Sequence, residues 1–432
     1  MVRLSGPGVA RVLTEVAALP RGVPAARRAV LVGLRDARGI FDQGLVLWMP
    51  GPRSYTGEDC AELSCHGNPL LVERLQAACI AAGARLALPG EFTRRAWMNG
   101  RMDLTRAEAV WQVIEARTAA GLEVAAQGLS GELAAFYVKE RGELQACAAE
   151  LEARLDFPDQ LDGGWGGLAN DADLVHRLRA VRARLGEAAG SHARARVLVQ
   201  GARVVLVGPT NAGKSSLFNA LLGRRRALVD SRPGTTRDAL EAPLDLDGLA
   251  VTLLDTAGER SRPRGLERAG LDLRDGLLGE ADLVVVVLPA HRPKLAESAA
   301  LLARTAGRPR LLVGNHADRR GAVFTHFGQP LLPTSAVTGE GLPALRAALR
   351  AALLGAEPRA GAVVVASQRQ HALLLEACVG LDRATEALVG EAGVAVAAEE
   401  LIGVLATLSG LSGQGVREEV LDALFARFCV GK

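Results

Sequence analysis

Aromatic residues make up only 3% of this 432-residue chain, which argues against an aromatic-rich β-sandwich and favours alanine-rich helices. Charge of one sign is also scarce. The formal net charge is +3, so the overall field neither requires nor excludes a nucleic-acid partner. The six cysteines, Cys60, Cys65, Cys79, Cys147, Cys378 and Cys429, form no CxxC pair and no His/Cys cluster at zinc-ligand spacing. That pattern argues against a disulfide framework and against a structural zinc site. A charged-then-apolar leader, an apolar run of membrane-spanning length, an internal repeat and a low-complexity tail are missing too. The expectation is a protein of the reducing cytoplasm with no membrane span. What is present, 49% hydrophobic and 23% charged residues, is the balance of a folded chain, and its length calls for two or three domains.

Three patterns succeed one another. Up to about Gly100, short apolar runs at 29–34 and 44–49 alternate with turn residues before a helical stretch over 69–82, which reads as a small α/β or α+β domain. From about Met102 to Gly201 the chain is rich in Ala, Leu, Glu and Arg at helical spacing, broken at Asp156-Phe157-Pro158-Asp159 and at the glycine-rich 163–167. From Arg203 to about Gly355 apolar strands at 204–207, 251–254, 283–288 and 311–313 alternate with helix-like segments, the pattern of a parallel-sheet nucleotide-binding domain. Helical periodicity returns from about Gln368 to the end. The expected fold class is therefore α/β plus α. The simplest arrangement makes the nucleotide domain an insertion into a helical domain, with boundaries at 1–101, 102–201, 202–356 and 357–432.

Gly208-Pro209-Thr210-Asn211-Ala212-Gly213-Lys214-Ser215 fits GxxxxGK[ST], after an apolar strand and before a helix over 216–222. Its glycines let backbone N–H groups face phosphates, Lys214 can reach the β and γ phosphates, and Ser215 can ligate Mg²⁺. The bland alternative, a glycine-rich turn with a chance lysine, fails because further motifs stand downstream in the order a GTPase needs. Gly234-Thr235-Thr236-Arg237-Asp238 supplies a switch threonine. Asp255-Thr256-Ala257-Gly258 ends a strand where an acid can hold Mg²⁺ through water and Gly258 can sense the γ-phosphate. Asn315-His316-Ala317-Asp318 resembles the NKxD motif of GTPases, in which the Asp accepts from guanine N1 and N2. Adenine has no donors there, so GTP is the expected nucleotide. His316 stands where the usual Lys covers the base, and Thr334-Ser335-Ala336 resembles the last guanine-contacting loop. The expected GTP contacts are Asn211, Ala212, Gly213, Lys214, Ser215 and Ser216, then Asp230, Ser231, Arg232, Pro233, Gly234, Thr235 and Thr236. Asp255, Thr256, Ala257, Gly258, Asn315, Asp318, Ser335 and Ala336 complete them, with Mg²⁺ on Ser215 and Thr236.

Asn211, taken with Gly234-Thr235-Thr236-Arg237-Asp238, resembles the potassium-activated subgroup of GTPases. The resemblance implies K⁺ held by Asn211, Thr235 and the carbonyls of Asp230 and Arg232, in the charge role an arginine finger fills elsewhere. A polar loop filler is the plainer account of Asn211. Residues 88–104, from Leu88-Pro89-Gly90-Glu91 to Arg101-Met102-Asp103-Leu104, are similar to a signature of the MnmE (TrmE) family of tRNA-modification GTPases. So are Pro50-Gly51-Pro52-Arg53-Ser54-Tyr55-Thr56-Gly57-Glu58-Asp59, the central Asp156-Phe157-Pro158 and the last four residues Cys429-Val430-Gly431-Lys432.

This resemblance implies an N-terminal folate-binding and dimerising domain, a helical domain made of two segments and an inserted Ras-like G domain. By residue matching, a tetrahydrofolate derivative (5-formyl or 5,10-methylene) would contact Arg3, Glu62, Arg101 and Lys432, with Arg101 in place of the more usual Lys. Without the resemblance each is read as surface charge. Glu267 matches the family's acid that positions the attacking water, and Glu259 stands where the family has an apolar residue. Cys429 is either a thiolate nucleophile beside Lys432 or a buried structural thiol. The partners implied are a second copy of the chain, an MnmG-like flavoprotein that carries the FAD, and tRNA. A ribosome-assembly GTPase and a degenerate GTP-binding scaffold are the rival readings, and the flanking signatures oppose the first. Family members open with a short strand and a glycine-rich turn ahead of the segment matching Val2-Arg3-Leu4-Ser5-Gly6, so folate binding and N-terminal pairing are expected to feel that difference most.

Overall fold

The computed structural model describes residues 1–20, 22–156, 171–223, 240–255, 276, 278–292, 296–355, 363–390, 392–428 and 431. In chain order its elements are β1 (Val2–Ser5), α1 (Val9–Val16), β2 (Ala29–Asp36), β3 (Gly39–Met49), β4 (Cys60–Ser64), α2 (Pro69–Ala81), α3 (Glu91–Met98), α4 (Leu104–Glu115) and α5 (Ala119–Ser130). Next come α6 (Glu132–Asp156), α7 (Asp171–Gly190), α8 (His192–Gln200), β5 (Ala202–Val207), α9 (Lys214–Leu221), β6 (Leu240–Asp245), β7 (Ala250–Asp255), β8 (Leu283–Pro289), α10 (Ala296–Arg304) and β9 (Arg310–Asn315). β10 (Thr325–His326), β11 (Gln329–Pro330), β12 (Leu332–Pro333), α11 (Leu342–Leu354), α12 (Gln368–Val389), α13 (Gly393–Ser412) and α14 (Glu418–Phe425) complete them. The chain divides into two compact units, one of Met1–Trp111, Gly128–Gly186 and Ala372–Lys432, the other of Gln112–Gln127 and Glu187–His371.

The first unit opens with an antiparallel sheet in the order β1-β4-β3-β2. Alternation sets its faces: Val32, Leu34, Val46 and Leu63 are buried, whereas Leu31 and Leu45 point outward. The buried face is covered by α1, whose Val9, Val12, Leu13 and Val16 recur at helical spacing, and by α2 through Leu75, Ala78 and Cys79. Asn68 caps α2 by accepting from Leu70 N at 2.9 Å, with Pro69 in the first turn. The remaining helices join chain segments far apart in sequence. Arg184 donates twice to the fully buried Glu140, tying α7 to α6, and Arg182 pairs with Asp382 between α7 and α12. Phe425 and Phe428 pack with Leu104 and Ala107, and Arg94 of α3 donates to Asp422 at 2.7 Å.

One element bears on the expectation of no membrane span. α13 is long and apolar enough, by length and composition, to cross a membrane. It packs against α6, and its buried residues Ala397, Leu401, Val404, Leu408 and Leu411 keep the three-four spacing of a single core-facing stripe. The described free cysteines are Cys60, Cys65, Cys79, Cys147 and Cys378.

The second unit holds a six-stranded sheet, β12-β9-β8-β5-β7-β6. Every neighbouring pair is parallel except β6 with β7, so the sheet expected to be parallel carries one antiparallel edge. β8 is buried along its whole length, as its unbroken Leu-Val-Val-Val-Val-Leu run requires of a strand covered on both faces. The edge strand β6 contains Pro243, which removes a ladder donor.

Candidate guanine-nucleotide site

The carboxyl ends of the parallel strands gather the motif residues. β5 runs into Gly208, where a Cβ would stand 2.3 Å from Val287 O on the neighbouring strand, so only glycine lets the chain leave the sheet there. Asn211 and Gly213 have φ of 64° and 83°, curling the loop into the start of α9, whose first residues are Lys214 and Ser215. Lys214 Nζ donates to Gly208 O at 2.9 Å and to Pro209 O at 3.2 Å, which holds the ammonium over its own loop. Asp255 ends β7, paired with Leu206 of β5, and is fully buried. A buried carboxylate on the strand beside the P-loop strand suits a hydrated divalent cation shared with Ser215.

The Asn-His-Ala-Asp turn begins at the end of β9. Asn315 is fully buried; its Nδ2 donates to Ala212 O at 2.9 Å, and its Oδ1 accepts from Ala336 N at 3.3 Å. One side chain thus links the P-loop to the 334–336 loop. Asp318 is exposed, and its Oδ1 accepts from Ser335 Oγ at 2.6 Å. That hydroxyl holds the carboxyl below its ordinary range, so it is ionised and able to accept. His316 takes the left-handed conformation, φ 67°, and burial pushes its imidazole below its ordinary pKa, with Arg319 and His291 adding to the effect. Sequence reasoning missed His291, and no local motif marks it. Its ring centroid lies 5.1 Å from that of His316, and Arg319 Nη1 stands 3.5 Å from its Nε2.

The structure therefore brings Asn211, Ala212, Gly213, Lys214, Ser215, Ser216, Asp255, Asn315, Asp318, Ser335 and Ala336 to one end of one sheet. Asp230, Ser231, Arg232, Pro233, Gly234, Thr235, Thr236, Thr256, Ala257, Gly258, Glu259, Glu267, Cys429 and Lys432 lie outside the described residues.

In the first unit, Arg3 and Glu62 face each other across β1 and β4, and Arg3 donates to Glu62 Oε1 through Nε at 2.9 Å and Nη2 at 2.7 Å. The same guanidinium lies 5.4 Å from the ring centre of Tyr55. A cavity of about 370 Å³ has Arg3, Arg11, Arg85, Arg95 and Gly431 among its walls. Glu91 lines it as well and pairs with both Arg85 and Arg95, so the wall carries both signs of charge. Glu62 and Arg101 are not part of that lining; the Arg101 stem lies against Gly57, 3.2 Å from where its Cβ would be.

A P-loop followed by an acid-ended strand, an Asn-x-x-Asp turn and a serine that orients the Asp define a P-loop GTPase, using GTP with Mg²⁺. The chain matches the family described as GTP-binding protein TrmE N-terminus over residues 1–101 and the MnmE helical domain over residues 104–429. It is 42% identical to the tRNA modification GTPase MnmE of Myxococcus xanthus (strain DK1622), covering 100% of this chain and 95% of that protein. It is 39% identical to the protein of the same name from Akkermansia muciniphila, with coverage of 100% and 95%. Among solved structures the G domain of the T. maritima FeoB iron transporter is 31% identical over 35% of this chain and 98% of that one, with a TM-score of 0.29. The chain belongs to the MnmE family, also called TrmE.

Proposed function

We propose that this chain is a tRNA-modifying GTPase whose turnover is stimulated by K⁺ and requires pairing of G domains between two copies. With an MnmG-like flavoprotein it would add an aminomethyl or carboxymethylaminomethyl group at C5 of the wobble uridine, position 34, in the cytoplasm. The observation that carries the nucleotide part is Asp318, held ionised by Ser335 beside a P-loop to which Asn315 is bonded. Family membership carries the tRNA part.

Ser215 and Thr236 would hold Mg²⁺, which when bound neutralises charge on the β and γ phosphates. Lys214, at the mouth of the loop, exchanges its loop carbonyls for phosphate oxygens. Asn211, with Thr235 and the carbonyls of Asp230 and Arg232, would hold K⁺, and Glu267 would position the attacking water through a further water. Cys429 remains a candidate nucleophile beside Lys432. The folate derivative, supplying the one-carbon unit when bound, would lie near Arg3, Glu62, Arg101 and Lys432. The electrons come from the partner's flavin, so this chain alone leaves tRNA unmodified. Residues 1–101, 102–201, 202–356 and 357–432 are proposed as folate-binding and dimerising domain, first helical part, G domain and second helical part.

GTP hydrolysis in KCl and in NaCl at equal ionic strength tests the potassium reading, and equal, slow turnover in both would replace it with a nucleotide-binding scaffold. Mass analysis of position 34 in tRNA incubated with the chain, GTP and a folate donor, with and without the flavoprotein, tests the rest. Modification is expected only with the flavoprotein present.

A further inference from the structure

Next to the base-selecting turn lies a cluster that the nucleotide motifs do not include. His291 comes after β8, and its loop is bonded to the 315–323 segment: Ala290 N donates to Asn315 O at 2.9 Å, and Val323 N donates to Ala290 O at 2.8 Å. Arg319 Nη1 approaches His291 Nε2 at 3.5 Å. A guanidinium can only donate, so Nε2 must accept, which leaves the proton of the neutral ring on Nδ1. That Nδ1 is buried and meets no acceptor among the described residues. What the ring does meet is His316, at 5.1 Å between centroids and an interplanar angle of 56°, within the range of tilted, edge-to-face aromatic contacts.

His316 is in turn held from the other side. A Cβ on Gly213 would lie 3.0 Å from its Nε2, so the imidazole edge rests on the last glycine of the P-loop. Its φ of 67° fixes where the side chain leaves the backbone. A guanine whose N1 and N2 reach Asp318 lies along the 315–318 turn, and the His316 ring borders it. A lysine at this position would cover the base with a flexible stem. An imidazole has two χ angles and needs a neighbour to fix its tilt.

We propose that His291 is a nucleotide-positioning residue, which, braced by Arg319, sets the tilt of the His316 ring against the P-loop and so the guanine-covering surface of the site. The inference rests on the reading of this site as a guanine-nucleotide site. The ring of His291 meets His316 and Arg319 and belongs to none of the phosphate motifs, so its loss should act on binding and leave the chemical step alone.

The test is a double-mutant cycle on the full-length chain, reading KM and kcat for GTP hydrolysis and the Kd of a fluorescent GDP analogue. An edge-to-face contact is worth about three- to ten-fold in an equilibrium constant. His291→Ala should therefore raise KM and the GDP Kd by about that factor with kcat unchanged. His291→Phe, which keeps a ring against His316, should recover part of the loss. In a His316→Lys background, His291→Ala should change neither constant. Unchanged KM and Kd in His291→Ala would overturn the proposal. So would an equal loss in the His316→Lys background, because a merely structural role for His291 does not depend on the residue at 316. Absence of guanine-nucleotide binding by the unmodified chain would instead overturn the reading of the site itself.

Discussion

Replacing Gly213 with alanine asks whether the base-selecting turn is held in place by the P-loop. Gly213 has a φ of 83°, a left-handed conformation in which an L side chain costs about 1–2 kcal/mol. The added Cβ would stand 2.2 Å from Asn315 Nδ2, inside any permitted contact. Asn315 is fully buried, so its amide has no water to turn into, and relieving the overlap breaks its 2.9 Å bond to Ala212 O. Leaving such a group buried and unpaired costs about 1–3 kcal/mol. The two effects together come to about 2–5 kcal/mol. Gly248→Ala is the control, since Gly248 has a φ of 82° and nothing within 4 Å of its would-be Cβ, so it carries the backbone cost alone. The unfolding transition that added GTP shifts upward reports this unit. In that transition Gly213→Ala should lose about 1–3 kcal/mol more than Gly248→Ala. Gly248→Ala should bind a fluorescent GTP analogue as the unmodified chain does, and Gly213→Ala far more weakly. Equal stability losses for the two variants in nucleotide-free protein would refute the Asn315 clamp.

Three further outcomes are expected. Asp318→Asn should weaken GTP by about ten-fold or more, because a charged acceptor is lost, and improve xanthosine triphosphate, whose O2 can accept from the new amide; competition of the two nucleotides for hydrolysis measures it. His326 in β10 is fully buried and burial lowers its pKa, so the folded state binds its proton less tightly than the unfolded chain. Its stability contribution is complete above the unfolded value of about 6.5 and is lost as pH falls through that value toward the lower folded one, so the G-domain Tm should drop between pH 7.5 and 5.5 and drop less in His326→Leu. Cys79 and Cys147, both pushed up to about 11 by burial, should resist a disulfide reagent at pH 8 until denaturant is added, and rapid native-state labelling of either would contradict their placement.

The elements most legible in the sequence are those whose signals are local. The stretch expected to be helical at 69–82 is α2, Pro69–Ala81, because a capping Asn, a first-turn proline and apolar spacing act within a few residues. The run at 283–288 is β8, since a strand buried on both faces has no polar residues to break it. β1 and β4 carry no such mark, because four- and five-residue strands are defined by their pairing, Val2 with Leu63 through Ser5 with Cys60, rather than by composition. β6 is hidden for a related reason: Leu-Glu-Ala-Pro-Leu-Asp carries two acids and a proline, and only the β7 ladder makes it a strand, antiparallel at the sheet edge. The membrane-like length of α13 is masked in sequence because Glu399 and Glu400 interrupt it, whereas on the helix its apolar stripe and length remain.

At the nucleotide site, sequence shows which residues have the chemistry for a ligand but not which of them bind one another. Lys214, Asp255 and Asp318 could be named because each motif fits inside a short window. The Asn315 bond to Ala212 spans 103 positions, and the Ser335 bond to Asp318 spans 17. These contacts give residues of one motif different duties. Asn315 uses both ends of its amide on protein, so changing it should loosen the P-loop and the 334–336 loop together and weaken every nucleotide alike. Asp318 has Ser335 bonded to one carboxylate oxygen and faces solvent, so changing it should alter which base is chosen. His316 belongs to neither duty. Its imidazole has Gly213 of the P-loop and His291 of the loop after β8 as neighbours, and on the proposal above these two segments are what would let it stand in for a lysine stem, a condition that its place in the motif could not reveal.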